Sequence, residues 1–467
     1  MAATGSILVK RCGLVGGPLL GLLVFLLLND QYTGIDGRQV PLEQGARATM
    51  AVMTWMAVWW LTEAIDISAT ALLPIAAFPI VGILPIGAAT APYGSDLIFL
   101  FMGGFVLALA MQRWGLDRRV ALFTLRIVGS RPTSIVGGFM LVTAFISMWV
   151  SNTATAALML PIAVSVIDLA LGTPTEDSIR ASGLPPEGTP QRNFALCLML
   201  AIAYAASIGG IATIIGSPPN GILVQFVALE YGREISFAEW LMIGGPMALA
   251  FLPLAWLLIT RVLYPIRLPE IAGGKALFER EYRELGPMNR GERITLAVFA
   301  ITAAAWITRP LLVDLAVGPA AWQPFAGLSD GGIAIVAALA LFLLPANGRD
   351  APAGRTGAGS GGGKVMDWET AERLPWGVLI LFGGGLSLAA AVQANGVAEF
   401  LGAQASVLQG MPMVILVLTV TTGVIFLTEL TSNTATTATL VPILAGLAGG
   451  LAVPPEALII PARLAAS

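Results

Sequence analysis

Apolar stretches long enough to cross a hydrocarbon layer alternate with short polar segments along almost the whole chain. A helix needs roughly 20 apolar residues to cross the ~30 Å core of a bilayer. Stretches of that character occupy 14–28, 48–62, 66–84, 96–112, 241–263, 294–308, 329–345, 375–394 and 456–467. The segment 193–230 is too long for one straight crossing, and Gly216, Pro218 and Pro219 lie partway along it. Proline removes a backbone donor and clashes with the preceding turn, so this pattern predicts two half-helices. Two further apolar stretches, 134–171 and 412–451, carry a polar triplet at their centres. Residues 276–287 mix apolar and charged positions, as a short interfacial helix or a solvated connector would.

The two central triplets are copies. Ser-Asn-Thr-Ala-Thr occurs at Ser151–Thr155 and again at Ser432–Thr436, 281 positions later. The same shift, without a gap, lays Leu100-Phe101-Met102-Gly103-Gly104 on Leu381-Phe382-Gly383-Gly384-Gly385, and Gln112 and Gly115 on Gln393 and Gly396. Downstream it lays Pro161-Ile162 on Pro442-Ile443. A gapless run that carries Phe, Gln, Asn and Pro marks an internal duplication. Duplicated halves in a membrane protein point to a carrier with its site where the halves meet.

Composition agrees with lipid as the main solvent. Hydrophobic residues make up 56% of the chain, charged residues 11%, and mean hydropathy is +0.82; soluble domains carry roughly a quarter charged residues. Histidine is absent, which removes Ser-His catalysis, His metal sites and His proton relays. The two cysteines, Cys12 and Cys197, lie in or beside apolar segments and suggest neither a disulfide framework nor a metal site. No nucleic-acid partner is expected. Lys10-Arg11 before the apolar run resembles the start of a signal peptide, but Asn29-Asp30-Gln31-Tyr32 offers no small-residue cleavage site. A retained first span is the better reading.

Basic residues set the expected orientation. With each triplet-bearing stretch returning to its own side, an N-inside topology places twenty Lys and Arg inside and only Arg38, Arg47, Arg233, Arg309 and Arg463 outside. The N-terminus is then cytoplasmic, in a cell inner (plasma) membrane. The span 96–112 runs opposite to its repeat partner 377–393, so the repeats are expected to be inverted. The organisation this gives is N-terminal scaffold spans and the first part of repeat 1 (1–133), a first re-entrant hairpin with the broken helix as a transport domain (134–240), and connecting and scaffold spans (241–345). A flexible cytoplasmic linker (346–373) and repeat 2 with its own hairpin (374–467) complete it. Residues 172–192 form a further cytoplasmic loop. The fold class expected is all-α and polytopic, with inverted repeats, two re-entrant hairpins and broken helices.

The triplets and the Pro-Pro break are the candidate sites. Where one helix ends and the next begins, free carbonyls suit a small cation and free N–H groups suit an anion. Ser, Asn and Thr add neutral oxygens and donors for both. Against this stands the ordinary N-cap role of Ser, Asn and Thr, which repetition at symmetric positions weakens. Gly103-Gly104 and Gly383–Gly385 read as close helix packing. Glu63, Asp66 and Glu429 lie at apolar borders, where structural pairing competes with ion ligation.

These residues resemble the divalent anion:sodium symporter family over nearly the whole chain. The resemblance rests on Trp59-Trp60-Leu61-Thr62-Glu63-Ala64-Ile65, both Ser-Asn-Thr-Ala-Thr motifs and Gly216-Ser217-Pro218-Pro219-Asn220. Asp66 departs from the proline usual after the first motif. The resemblance implies a homodimeric, elevator-type carrier of C4-dicarboxylates, citrate or sulfate, coupled to Na+. It implies a first sodium site at Ser147, Ser151, Asn152 and Gly216, and a second at Thr428, Thr431 and Asn433. It implies substrate contacts at Asn152, Thr153, Ser217, Asn433 and Thr434. An enzyme is not expected: without His, and without a pair of mid-span aspartates, an intramembrane hydrolase has no machinery. A passive anion channel and a sodium-independent exchanger are the other rivals. One more expectation concerns length. Ala465-Ala466-Ser467 matches the Ala205-Ala206-Ser207 that leads into the first Pro-Pro break, and the family pattern continues beyond it. The chain is therefore expected to be incomplete and, as it stands, a poor binder that does not transport.

Overall fold

A computed structural model describes residues 2–171, 186–271, 273–315, 323–346, 363–429 and 431–466. The expected connectors at 172–192 and 346–373 lie mostly outside these residues.

Among the described residues the chain is mostly helical, with one small β-hairpin. It begins with α1 (Ala2–Leu27), followed by β1 (Gln31–Thr33) paired antiparallel to β2 (Gln39–Pro41). Next come α2 (Gln44–Thr62), α3 (Ile67–Thr70), α4 (Leu73–Ile80), α5 (Ile86–Thr90), α6 (Asp96–Trp114), α7 (Leu116–Leu125), α8 (Pro132–Ser147) and α9 (Asn152–Leu171). The middle of the chain forms α10 (Pro190–Ile211), α11 (Pro218–Tyr231), α12 (Phe237–Leu257), α13 (Gly274–Glu284), α14 (Arg290–Val313) and α15 (Asp330–Leu343). After α16 (Trp368–Ala371) follow α17 (Trp376–Ala394), α18 (Val397–Ala405), α19 (Met413–Thr428), α20 (Asn433–Leu451) and α21 (Glu456–Ala465). Among the described residues eight helices are long and apolar enough to cross a membrane.

Most expected spans appear as helices. The stretch 66–84 does not form one span but divides into α3 and α4. Pro74 explains the division, because it lacks the N–H that would bond the Thr70 carbonyl and its ring crowds that group. Asp66, the residue that departs from the motif, caps α3 by accepting the Ser68 N–H at 2.8 Å. The last apolar stretch forms only the 10-residue α21. The amphipathic segment at 276–287 becomes α13, with Phe278 buried and Arg280–Glu284 and Arg283–Glu279 paired along its outer side.

The duplication is present in the backbone. Helices α8 and α19 are each 16 residues long, and the 281-residue shift lays Pro132 on Met413, Ser147 on Thr428 and Asn152 on Asn433. In each repeat a glycine in the left-handed region, Gly115 (φ 78°) or Gly396 (φ 68°), starts the short helix that follows. A side chain there would be strained. At 1.5 Å per residue, α8 and α19 are about 24 Å long, short of the ~30 Å core. Their partners α9 and α20, at 20 and 19 residues, are long enough to cross.

Two compact units result. One comprises Met1–Phe99, Pro218–Ile235 and Pro375–Ser467; the other comprises Leu100–Ser217 and Ser236–Leu374. In the first unit α1 lies against α2 through Gly13, Gly17 and Gly21, spaced one turn apart. A Cβ at Gly17 would meet Trp59 at 2.6 Å, and one at Gly21 the Ala51 carbonyl at 2.6 Å. Gly402 and Gly450 bring α18 and α20 into backbone contact in the same way. Such close approach is how helices associate without a hydrophobic driving force. In the second unit Gly209 of α10 sits on the Ala144 backbone of α8, and Gly103 of α6 on Ala334 of α15. Among the described residues three ion pairs, each with at least one buried partner, fasten this unit: Arg113–Asp367 at 2.7 Å, Arg119–Glu292 at 2.9 Å and Arg309–Asp330 at 2.8 Å.

Candidate functional site

The first tip, between α8 and α9, is held by α10 and by the chain just after it. Ser147 ends α8 and is fully buried; its Oγ lies 2.7 Å from Asn152 Oδ1 and 2.8 Å from the Ala206 carbonyl of α10. One hydroxyl proton serves these two acceptors, so the spot is rich in neutral oxygen. Gly210 and Gly216 complete the cluster. A Cβ on Gly210 would lie 2.5 Å from Asn152 Oδ1 and 3.1 Å from the Gly216 carbonyl, and one on Gly216 would lie 3.0 Å from the Ser147 carbonyl. Only glycine permits this convergence. Ser147, Asn152 and Gly216, three of the four residues expected in the first sodium site, are thus brought together. Ser151 does its ordinary capping work, with Oγ 3.4 Å from the Ala154 N–H and its carbonyl accepting from Thr155 at 2.9 Å. Hydroxyl, amide and carbonyl oxygens without fixed charge suit a hard monovalent cation.

Thr213 was not singled out from the sequence. Its hydroxyl donates to the Met148 carbonyl at the tip and accepts the Gly216 N–H at 3.0 Å. It therefore staples the broken segment 212–217 to the hairpin. Its signal was available, since it is the first polar side chain in the run from Gly209 to Gly216. Of the substrate contacts expected here, Asn152 is half-buried, Thr153 exposed and Ser217 buried.

One expectation about the break needs correction. It was to expose backbone N–H groups at the start of the following half-helix. Pro218 and Pro219 occupy the first two positions of α11 and have no N–H. The backbone donors left in that first turn begin at Asn220.

The second tip, between α19 and α20, has the same length but a different hydrogen-bond pattern. Thr431 Oγ and Thr436 Oγ bridge at 2.7 Å, and Thr431 also donates to the Leu427 carbonyl at 2.8 Å. Thr428 turns its hydroxyl to its own helix, onto the Val424 and Ile425 carbonyls. Asn433 is exposed and, among the described residues, makes no side-chain hydrogen bond; Thr434 is half-buried. The Ser147–Asn152 contact of the first tip thus has no counterpart between Thr428 and Asn433. Glu429 is exposed, and Glu63 pairs with Lys10 at 3.2 Å on the surface, which is a structural role.

A helical membrane protein with duplicated helix pairs, each turning on a polar tip, and a helix broken beside one tip, belongs to the class of secondary transporters. Sequence comparison places it further: the chain belongs to the family described as the sodium:sulfate symporter transmembrane region, whose model matches residues 39–467. It is 39% identical over 455 residues to the sodium-dependent dicarboxylate transporter SdcS of Staphylococcus saprophyticus, covering 97% of this chain and 81% of that protein. The SdcS protein of Staphylococcus aureus is 39% identical over 459 residues, with the same shares covered. In fold the chain is similar to the Alcanivorax borkumensis YdaH transporter, with a TM-score of 0.56 at 16% identity over 98% of this chain and 86% of that one.

Proposed function

We propose that the protein is a sodium-coupled symporter of C4-dicarboxylates in the plasma membrane, with its N-terminus cytoplasmic, working as a homodimer by an elevator motion of hairpin-bearing transport domains over scaffold spans. The observation that carries this reading is the neutral-oxygen cluster of Ser147, Asn152 and Gly216 at the first tip. Neither the hairpin stretch 134–171 nor the segment 193–230 contains Lys or Arg. A dianion held there needs positive charge from elsewhere, and co-transported Na+ supplies it. Each substrate then raises the affinity for the other, which is the thermodynamic content of symport. The names of the SdcS relatives, at 39% identity, support both the ion and the dicarboxylate class.

In this reading Ser147, Ser151, Asn152 and Gly216 hold the first sodium ion, and Thr428, Thr431 and Asn433 belong to the second. Asn152, Thr153, Ser217, Asn433 and Thr434 offer donors to the substrate carboxylates. The test is uptake of labelled succinate into liposomes containing the purified full-length carrier. Accumulation is expected with an inward sodium gradient and not with choline in its place. Equal uptake in both would mean sodium-independent exchange.

A further inference from the structure

We propose that Asp330, remote in sequence from both tips, is a positioning residue for the first cation site and sets its sodium affinity. The inference rests on the reading of that tip as a sodium site. Asp330 opens α15 and is buried. One carboxylate oxygen accepts the N–H of Phe237, the first residue of α12, at 2.8 Å; the other pairs with Arg309 at 2.8 Å; its backbone carbonyl accepts Trp306 Nε1 at 3.0 Å. The start of α12 is therefore pinned from outside, in addition to its own Ser236–Glu239 capping box.

From there α12 reaches both walls of the cluster. The Phe237 ring stacks on Trp306 (4.9 Å, 23°) and on Trp149 (5.9 Å, 21°), and Trp149 meets Phe299 edge-on at 4.8 Å. Trp149 is a residue of the tip itself, between Ser147 and Asn152. One turn on, Trp240 Nε1 donates to the Ile211 carbonyl at 3.0 Å, and Gly244 lets Ile211 and Ala212 lie against the helix backbone. That is the end of α10, where the chain leaves for Gly216. One pinned helix thus holds the segment bearing Ser147 and Asn152 and the segment bearing Gly216. Outer-shell partners of this kind fix ligand geometry, and cation affinity follows geometry.

A purely structural role would change the amount of folded protein without changing the sodium dependence of what folds. The experiment measures uptake against sodium concentration, at saturating substrate, for full-length Asp330→Asn, Phe237→Leu and Asn152→Ala in liposomes. Asp330→Asn keeps the shape and removes the charge; Phe237→Leu breaks the stack and leaves every charge paired. Both are expected to raise the half-saturating sodium concentration, Asp330→Asn by about tenfold, with substrate half-saturation at high sodium little changed. Unchanged sodium half-saturation in Asp330→Asn overturns the inference, and where that variant does not insert, the same result in Phe237→Leu does so. If sodium dependence survives Asn152→Ala as well, the reading of the site falls and takes this inference with it. If it is lost in Asn152→Ala but intact in the other two, only the role of Asp330 falls.

Discussion

Asn152 carries two constraints at once: it begins α9, and its amide faces the Ser147 hydroxyl across the tip. Alanine at this position keeps the helix start but removes the oxygen, so Asn152→Ala is expected to be made, inserted and nearly inactive in sodium-dependent uptake. Asn433→Ala is expected to lose uptake as well, although Asn433 lies exposed in this structure; near-normal transport by either variant removes that residue from the site. The two tips were legible as helix breaks because the triplet is repeated and because Asn is rare in apolar surroundings. Thr213 offered only the signal of a polar side chain in an apolar run and Trp149 none, because their roles depend on which carbonyl or ring lies opposite, and no periodicity encodes that. A different residue-scale prediction follows from Asp367. Burial alone would raise its pKa, but Arg113 at 2.7 Å and the Thr370 N–H at 2.9 Å outweigh burial and hold it below the ordinary carboxylate value. A lowered folded pKa gives stability that is complete above the unfolded value near ~3.9 and is lost as pH falls through the folded one. Thermal melts of the detergent-purified protein should therefore show a loss beginning below about pH 4 that is reduced in Asp367→Asn, which should already be weaker at neutral pH. A loss of equal size in both would assign the acid sensitivity to other carboxylates.

Helices were legible wherever hydrophobicity ran long enough, and their contacts where small residues recurred at helical spacing. The duplicated glycines at 103–104 and 383–385 read correctly as packing: a Cβ on Gly103 would strike Ala334, and one on Gly384 would strike Ala71. The row Gly13, Gly17 and Gly21 carries the same signal at one-turn spacing within the apolar first span. Legibility ended where one proline decided between a span and two fragments, as at Pro74, and where a ten-residue helix such as α21 resembled part of a longer span. The glycine contacts give a paired test. Nothing lies within 4 Å of a Cβ on Gly16, whereas a Cβ on Gly17 meets Trp59 at 2.6 Å. Gly16→Ala should be neutral or stabilising by up to about 1 kcal/mol, as Ala replaces Gly in a helix. Gly17→Ala should cost about 1–3 kcal/mol as an overpacked contact. Melting followed by size-exclusion chromatography distinguishes them, and equal melting of the two variants would mean that α1 does not depend on this contact.

At the scale of the molecule, the repeats share the 16-residue helix before each tip and differ at the tips themselves. Ser147 and Asn152 are joined in the first, while Thr431 and Thr436 are joined in the second. A carrier that moves its cargo between two sides needs each tip covered in one state and open in another. Thr155 and Thr436, equivalent under the 281-residue shift, are both fully buried in this structure. A cysteine at either place can be modified only when its hairpin opens, so each reports one half of the cycle. In the proposed N-inside topology, which leaves twenty basic residues inside and five outside, the two tips open to opposite sides. Cysteine at 155, in a background without Cys12 and Cys197, should react with a membrane-impermeant thiol reagent only from the cytoplasmic side, and cysteine at 436 only from outside. Sodium with saturating succinate should alter both rates by shifting the population of open states. Labelling of both positions from one side in every condition would defeat the inverted arrangement and the alternating-access reading built on it. Opposite-sided labelling that ignores sodium and succinate would keep the topology and remove the coupling.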